Sequence, residues 1–368
     1  MGVIVFIFVA SKDIRVGNTV KMQVSKEEFK LKVTEALKAI RRYQEPDHRK
    51  AIIQIINSFG PFVALWILTY FLWDVSKLAV VLLSVLNAFF LVRIFIIQHD
   101  CGHQSFVKSR FWRNFIGQVC SMFSFIPYKY WATSHHFHHK NNGMLEVRDI
   151  GDIDTLTVEE YKKLSTAGKV KYRIFRSFPV MFVIGPLYYI LIHNRLPLIN
   201  LPEFKKQWKG LAFSNILLAA VVVGLCLILD WKKVLLTHFF VLAFFGIVAI
   251  WFFYVQHQHE HGYKHWKDKW EFMMAAIKGS TYYKLPRIMN WLTGNIAIHH
   301  IHHLNPAIPN YHLKKCANDI PYFHKFTTEV TFWESLKFAN HKLWDERTER
   351  MITFKEYRNL YKDNRQAA

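Results

Sequence analysis

Cysteine is scarce in this chain and unpaired. The four cysteines, Cys101, Cys120, Cys226 and Cys316, include no CxxC, which excludes a disulfide framework and a zinc ribbon and fits a reducing, cytoplasm-facing protein. A CxxCH haem attachment, a ferredoxin-type cysteine run and GxGxxG are absent as well, so the chain offers no electron-carrying group of its own. HExxH is missing, which removes the glutamate base of a zinc protease. The only ExxH is Glu45-Pro46-Asp47-His48, and its proline spoils the helix that a carboxylate-bridged ferritin-like centre needs. Acidic residues are few: 27 Asp and Glu against 48 Lys and Arg, a formal charge of +21.

That charge sits beside 52% hydrophobic and 16% aromatic residues. The basic residues flank apolar blocks instead of forming one folded basic module, so they point to a membrane surface and not to nucleic acid. Four blocks, residues 51–73, 78–97, 211–229 and 234–255, each approach the ~20 residues needed to cross a bilayer. The short links at 74–77 and 230–233 make two antiparallel hairpins. Arg93 falls near the end of its span, from which its head is expected to snorkel to the interface. Residues 11–50, 98–173 and the chain after 256 hold most of the Lys and Arg, and by the positive-inside tendency they face the cytoplasm. Residues 115–130 are too short and polar to span, and 175–192 contain Pro179, Gly185 and Pro186; both are expected to be interfacial or re-entrant. MGVIVFIFVA at the start is apolar but short and without a basic flank. A charged amphipathic helix, solvated or interfacial, is expected from about Met22. The fold class is therefore an all-α integral membrane protein: four transmembrane helices in two hairpins under a cytoplasmic histidine-rich cap. Its parts would be an N-terminal interfacial segment (1–50), the membrane domain (51–320) and cap helices with a basic tail (321–368), a helix being expected over 331–344.

The histidines are clustered. His99 and His103 stand at i and i+4; His135, His138 and His139 stand at i, i+3 and i+4, and so do His299, His302 and His303. At about 100° per residue each set shares one sector of a helix, as a metal-binding face requires. His136 and His300 point away from that sector, to the surface or to a supporting layer. His48, His193, His238, His312, His324 and His341 are isolated and read as ordinary interfacial side chains. Neutral imidazole suits iron, zinc, copper and nickel, so ligand type alone leaves the metal open. Eight ligands are too many for one ion; two six-coordinate ions with positions left for oxygen and water fit better. Asp149, Asp152 and Asp154 follow the second cluster and could orient imidazole N–H groups.

The HxxxH, HxxHH, HxxHH set with paired hairpins resembles the membrane fatty acid desaturase family over about residues 50–315. GDIDTLTVEEY at 151–161, WFFYVQHQHE at 251–260, GSTYYKLP at 279–286 and TGNIAIHHIHHLNPAIPNY at 293–311 resemble bacterial acyl-lipid desaturases of the omega-6 (delta-12) type. The resemblance implies that His99, His103, His135, His138, His139, His299, His302 and His303 bind two iron ions, and that His257 is an additional ligand. His259, His261 and His265 crowd that position and depart from the family pattern.

The implied reaction is O2-dependent insertion of a cis double bond into a lipid acyl chain held in an apolar tunnel, for which Phe89, Phe90, Phe95 and Trp251 are candidate walls. No residue beyond the metal ligands is implied in catalysis. Electrons would come from an external ferredoxin-like or cytochrome b5-like carrier, and the enzyme would sit in a bacterial inner membrane with its active site on the cytoplasmic face. His299 replaces the glutamine of front-end desaturases. A di-iron hydroxylase, conjugase or carotenoid ketolase would share the histidines, as would an alkane hydroxylase, whose NYxxH-type third box is absent. A membrane metal-binding or transport protein would instead require polar residues deep in the spans.

Overall fold

The computed structural model describes residues 15–16, 19–20 and 26–361; the apolar run at 1–10 and the last residues of the basic tail lie outside them. Helices α1 (Lys26–Ile40), α2 (His48–Phe71), α3 (Lys77–Gly102), α4 (Arg110–Ser124) and α5 (Tyr128–Asn141) lead to the short α6 (Val158–Lys163), α7 (Thr166–Phe175), α8 (Gly185–Leu191) and α9 (Pro202–Lys205). Two long helices follow, α10 (Trp208–Ile228) and α11 (Trp231–His257), then α12 (Phe272–Lys278), α13 (Arg287–Leu292), α14 (His299–Leu304), α15 (Asn310–Asp319), α16 (Phe332–Phe338) and α17 (Phe354–Tyr361). Strands β1 (Arg15–Val16), β2 (Thr19–Val20), β3 (Thr281–Lys284), β4 (Thr328–Thr331), β5 (His341–Asp345) and β6 (Arg350–Thr353) form three two-stranded pairs, with β3–β4 parallel.

Among the described residues four helices are long and apolar enough to cross a membrane: α2 with its following turn, α3, α10 and α11. Their outward faces carry Ile56, Phe71, Leu82, Leu227 and Ile228 largely exposed, as surfaces solvated by lipid do. Each hairpin turn is capped by its own side chains. Ser76 accepts from Ala79 N at 3.2 Å, and Asp230 accepts from Lys232 N and Lys233 N at 2.9 and 3.2 Å, satisfying helix-start donors that lipid cannot. The two tips are also joined, by Asp230 N donating to Tyr70 Oη at 3.0 Å and by a Lys233–Asp74 ion pair. Both hairpins therefore enter from the same side.

The segment that kinks at Pro179 forms a helix pair bent by 54°. It cannot be a fifth crossing. His138 and His257 lie 3.3 Å apart across it, so the chain between them crosses an even number of times, and α10 with α11 already supplies two crossings. The apolar side chains Ile174, Phe178, Ile184 and Leu191 are exposed along the bend, as expected of an interfacial or re-entrant element.

Arg93 departs from the snorkelling expectation. It is 3% exposed; Nε donates to Ser58 Oγ at 3.2 Å, one terminal nitrogen to Asn57 Oδ1 at 2.6 Å and the other to the Trp291 carbonyl, with the Trp291 ring 3.9 Å away. Acceptors from α2 and α13 take up the guanidinium, and the cation becomes a bolt between helices. The amphipathic helix expected from Met22 is seen from Lys26, and it is not simply solvated. Val33, Ala36 and Ile40 pack into a core with Ile301, Leu304, Ile308 and Leu313, while Gln44 Nε2 donates to Asn305 Oδ1 at 3.0 Å. The start of the chain thus braces the third histidine cluster.

The helix expected over 331–344 is present only as α16. A capping box at Thr331 and Glu334 starts it, and from His341 the chain pairs instead as β5 with β6, burying Leu343, Trp344 and Met351. Trp344 N donates to Leu156 O at 3.0 Å, so this hairpin closes over the loop after the second histidine cluster.

Candidate metal centre

Helices α3 and α11 do not stop where their apolar stretches end. They run on through Gln98–Gly102 and Gln256–His257, which at ~1.5 Å per residue lifts His99 and His257 just past the membrane-buried part. Helix α5 supplies the middle cluster. The short α14 is placed by a tight turn before it: Gly294 has φ +58°, and a Cβ there would stand 2.7 Å from Ile96 Cγ2. Only glycine allows both this conformation and this approach to α3.

All nine expected histidines converge, in two groups. The ligand atoms of His99, His103, His135, His139 and His302 lie within 4.8 Å of one another, and so do those of His138, His257 and His303. His299 joins the second group, its Nε2 being 2.9 Å from His257 Nε2. The helical period explains the division. Residues i and i+4 differ by about 40° in direction and i+3 lies about 60° to the other side. On α5, His135 and His139 go to the first group and His138 to the second. On α14, His299 and His303 go to the second and His302 to the first. The groups touch where the His139 and His303 rings stack at 4.1 Å.

Nitrogens face one another within each group. His139 Nε2 is 3.0 Å from both His135 Nε2 and His302 Nε2, and His138 Nε2 is 3.3 Å from His257 Nε2. Burial, reinforced by the other imidazoles, holds His103, His135, His139, His299, His302 and His303 well below the ordinary histidine range, and burial pushes His138 down to about 4. These rings are neutral at pH 7 and present lone pairs. His99 Nε2, His103 Nε2 and both His303 nitrogens are buried with no hydrogen-bond partner, a costly arrangement in a protein interior unless a cation takes the lone pairs. The donor set fits two metal ions, five imidazoles for one and four for the other.

Each group is braced differently. His99 Nδ1 meets Asp100 Oδ1 at 2.8 Å, while Asp100 Oδ2 accepts from Asn310 N at 2.6 Å and Asn310 Nδ2 at 2.8 Å. That carboxylate fixes the His99 ring with Nε2 toward the group and ties α3 to the start of α15. The carboxylates expected to do this do not: Asp149 is exposed, Asp152 caps Ile153 N and Asp154 pairs with Arg148 at 3.2 Å. His257 Nδ1 donates to Gly279 O at 3.1 Å. Its neighbours hold the helix end, Gln256 Nε2 donating to Ile296 O at 3.0 Å and Gln258 Oε1 accepting from Thr155 Oγ1 at 2.9 Å. Aromatic rings wall the site: Trp131 stacks on His135 at 4.7 Å, and Phe253 lies 5.2 and 4.9 Å from His138 and His257.

The other histidines stay outside both groups. His136 and His261 are exposed, His265 is half-buried, His259 is buried near Phe338, and His300 is buried beside His324 and Tyr282. Sequence reasoning missed Asp100, Asn310 and Trp131. The available signal was a carboxylate inside the buried end of an apolar helix, directly beside a cluster histidine. Of the candidate tunnel walls, Phe95 packs between Trp131 and Phe245, Phe90 on Trp291 and Trp251 on Phe182.

An integral membrane protein that gathers two histidine groups able to hold metal beneath paired helical hairpins has the architecture expected of a membrane desaturase. The sequence model of the fatty acid desaturase family matches residues 76–329, and the chain belongs to that family. It is 37% identical to a fatty acid desaturase of Bacillus subtilis (strain 168), over 88% of this chain and 91% of that protein. The sn-1 acyl-lipid omega-3 desaturase (ferredoxin) of Nostoc sp. (strain 36) is 28% identical over 66% of this chain and 68% of its own length. The sn-1 oleoyl-lipid 12-desaturase of Picosynechococcus sp. (strain ATCC 27264 / PCC 7002 / PR-6) is 25% identical over 67% and 71%. The chain is a desaturase enzyme, and its family implies a lipid substrate and an electron donor.

Proposed function

We propose that this desaturase introduces a cis double bond of the omega-6 (delta-12) type into an acyl chain of a membrane glycerolipid, at two iron ions, with O2 as co-substrate. The observation that carries the reading is the division of nine converging histidines, nearly all buried, into groups of five and four. Iron bound there would supply, with O2 and two electrons, the oxidising power to take one hydrogen from each of two adjacent methylenes; two protons complete the balance, giving one alkene and two waters. The protein's own part is positional. The histidines present neutral lone pairs, Asp100 and the Gly279 carbonyl orient two of the rings, and Trp131 and Phe253 keep the site dry.

The omega-6 type is supported by the motif TGNIAIHHIHHLNPAIPNY and by the relative named for 12-desaturation; an omega-3 desaturase aligns at similar identity, so the product decides. The electron donor is read as a ferredoxin-like carrier, in keeping with the basic charge of the chain, and the site as facing the cytoplasm of a bacterial inner membrane, in keeping with the positive-inside tendency. The test is expression in a host that lacks polyunsaturated fatty acids, together with a ferredoxin system. Gas chromatography with mass spectrometry then locates the double bonds. A new cis diene at the delta-12 position, absent with His302→Ala, is expected. A hydroxylated product, or a double bond at the omega-3 position, would overturn the assignment.

A further inference from the structure

The motif GDIDTLTVEEY at 151–161 supplies no histidine, yet its first residues lie against the metal centre. Gly151 has φ +74°, and a Cβ there would stand 2.8 Å from Ser134 O and 3.2 Å from His138 Cβ. Only glycine lets the loop lie this close to the turn of α5 that carries His138. A few residues on, the loop meets a buried cation. Arg176, which follows the last residue of α7, is fully buried. Its Nη1 donates to Asp154 O at 3.0 Å and to Thr155 Oγ1 at 2.9 Å.

The other terminal nitrogen serves the end of α11. Arg176 Nη2 donates to Tyr254 Oη at 3.1 Å and Gln258 Oε1 at 3.3 Å, and to His341 O of β5 at 3.2 Å. Two further bonds close the cluster, Tyr254 Oη donating to His341 O at 2.6 Å and Thr155 Oγ1 to Gln258 Oε1 at 2.9 Å. Tyr254 and Gln258 stand at i and i+4, bracketing His257 in the same turn. One guanidinium therefore joins the loop packed on His138 to the turn that carries His257, and the Nε2 atoms of those two rings are 3.3 Å apart. All five acceptors are neutral oxygens, so the side chain acts as a planar fork of fixed spacing and not through ion pairs. The carboxylate brace of the five-histidine group, Asp100 with Asn310, lies on other elements.

We propose that Arg176 is a positioning residue for the four-histidine group: through the fixed spacing of its guanidinium it sets the separation of His138 and His257, and with it the hold of that group on its metal. The proposal rests on the metal reading above. Without the fork, the loop and the last turn of α11 lose their common anchor, and Asp154 O and the Gln258 amide lose a donor in the protein interior. Such unmet acceptors are costly, and the backbone relieves them by loosening toward water. His138 and His257 then move relative to each other, while Asp100 still fixes His99.

The test uses the full-length protein in nanodiscs, both iron-loaded and metal-free. In Arg176→Met the four-histidine group is expected to bind iron roughly 10- to 100-fold more weakly, the scale of losing a supporting partner. A chelator should then remove one iron well before the other, with the Mössbauer doublet of the five-histidine group persisting. Arg176→Lys keeps the buried charge without the fork and is expected to behave as Arg176→Met does. In the metal-free Arg176→Met protein, hydrogen exchange should quicken at residues 151–155 and 254–258 and match the wild type at residues 96–103. Thr155→Val removes one bond of the cluster; it should show the same selective pattern to a smaller degree, and it decides the matter if the arginine variants do not fold. Wild-type iron affinity in these variants, iron lost alike from both groups, or full rescue by Arg176→Lys would overturn the proposal. The exchange measurement needs no metal, so selective loosening in a protein whose wild type fails to hold two irons would count against the metal reading and leave the clamp standing.

Discussion

The two histidine groups differ in how they are built. The five-histidine group is complete from the three clusters alone: two i, i+4 pairs, one i+3 histidine, and a buried carboxylate locking one ring. The four-histidine group takes one i, i+4 pair and one i+3 histidine from the clusters and needs His257, from the end of a membrane helix, as its fourth member. Its support is backbone carbonyl and glutamine rather than carboxylate. The first group is therefore the more strongly organised by charge, and the second depends on where α11 ends.

That contrast can be broken experimentally. The largest effect is expected from His302→Ala, which opens the five-histidine group at the ring meeting His139 at 3.0 Å; alkene formation should vanish, as measured by product analysis. Asp100→Asn should weaken metal binding at the five-histidine group roughly 10- to 100-fold, the usual cost of losing a supporting partner, while the four-histidine group retains its metal; competition with a chelator distinguishes them. Acid should affect both groups. An unfolded histidine protonates near ~6.5, whereas His138 in the folded chain protonates at about 4. The folded value being the lower, this stabilisation of the metal-free protein is complete above about pH 6.5 and is lost progressively as pH falls from there through 4. The thermal midpoint should fall over that window and metal should leave with it. The smallest effect is expected far away: Lys233→Ala removes an ion pair with the exposed Asp74 at the hairpin tips and should hardly move the thermal midpoint, because water and salt screen exposed pairs, leaving product formation and metal content unchanged.

Much of this was legible from residue pattern. Apolar runs gave the four spans, the short links gave the hairpins, and i, i+3, i+4 spacing gave eight of the nine converging histidines. Treating each cluster as one sector concealed the division, since the ~100° between i+3 and i+4 is enough to turn neighbouring rings into different groups. Arg93 was misplaced because its partners come from α2 and α13, contacts that no local pattern announces. Asp100 was overlooked because spacing rules draw attention to carboxylates after a cluster, whereas this one acts from within it by reaching Asn310, 210 residues away. The β5–β6 hairpin was missed because its strands are short and place their apolar residues side by side, Leu343-Trp344 and Met351-Ile352, with no alternation to mark a strand; pairing with each other and to the loop at Leu156 settles their form.

The central claim is two metal sites of five and four histidines, with His257 completing the second. Iron per chain, measured by inductively coupled plasma mass spectrometry alongside Mössbauer spectra of the purified wild-type and His257→Ala proteins, tests it most directly. About two irons in two distinct environments are expected for the wild type and about one for His257→Ala, the doublet of the five-histidine group surviving. A wild-type protein that holds one iron, or a variant that keeps both with unchanged spectra, would contradict the account.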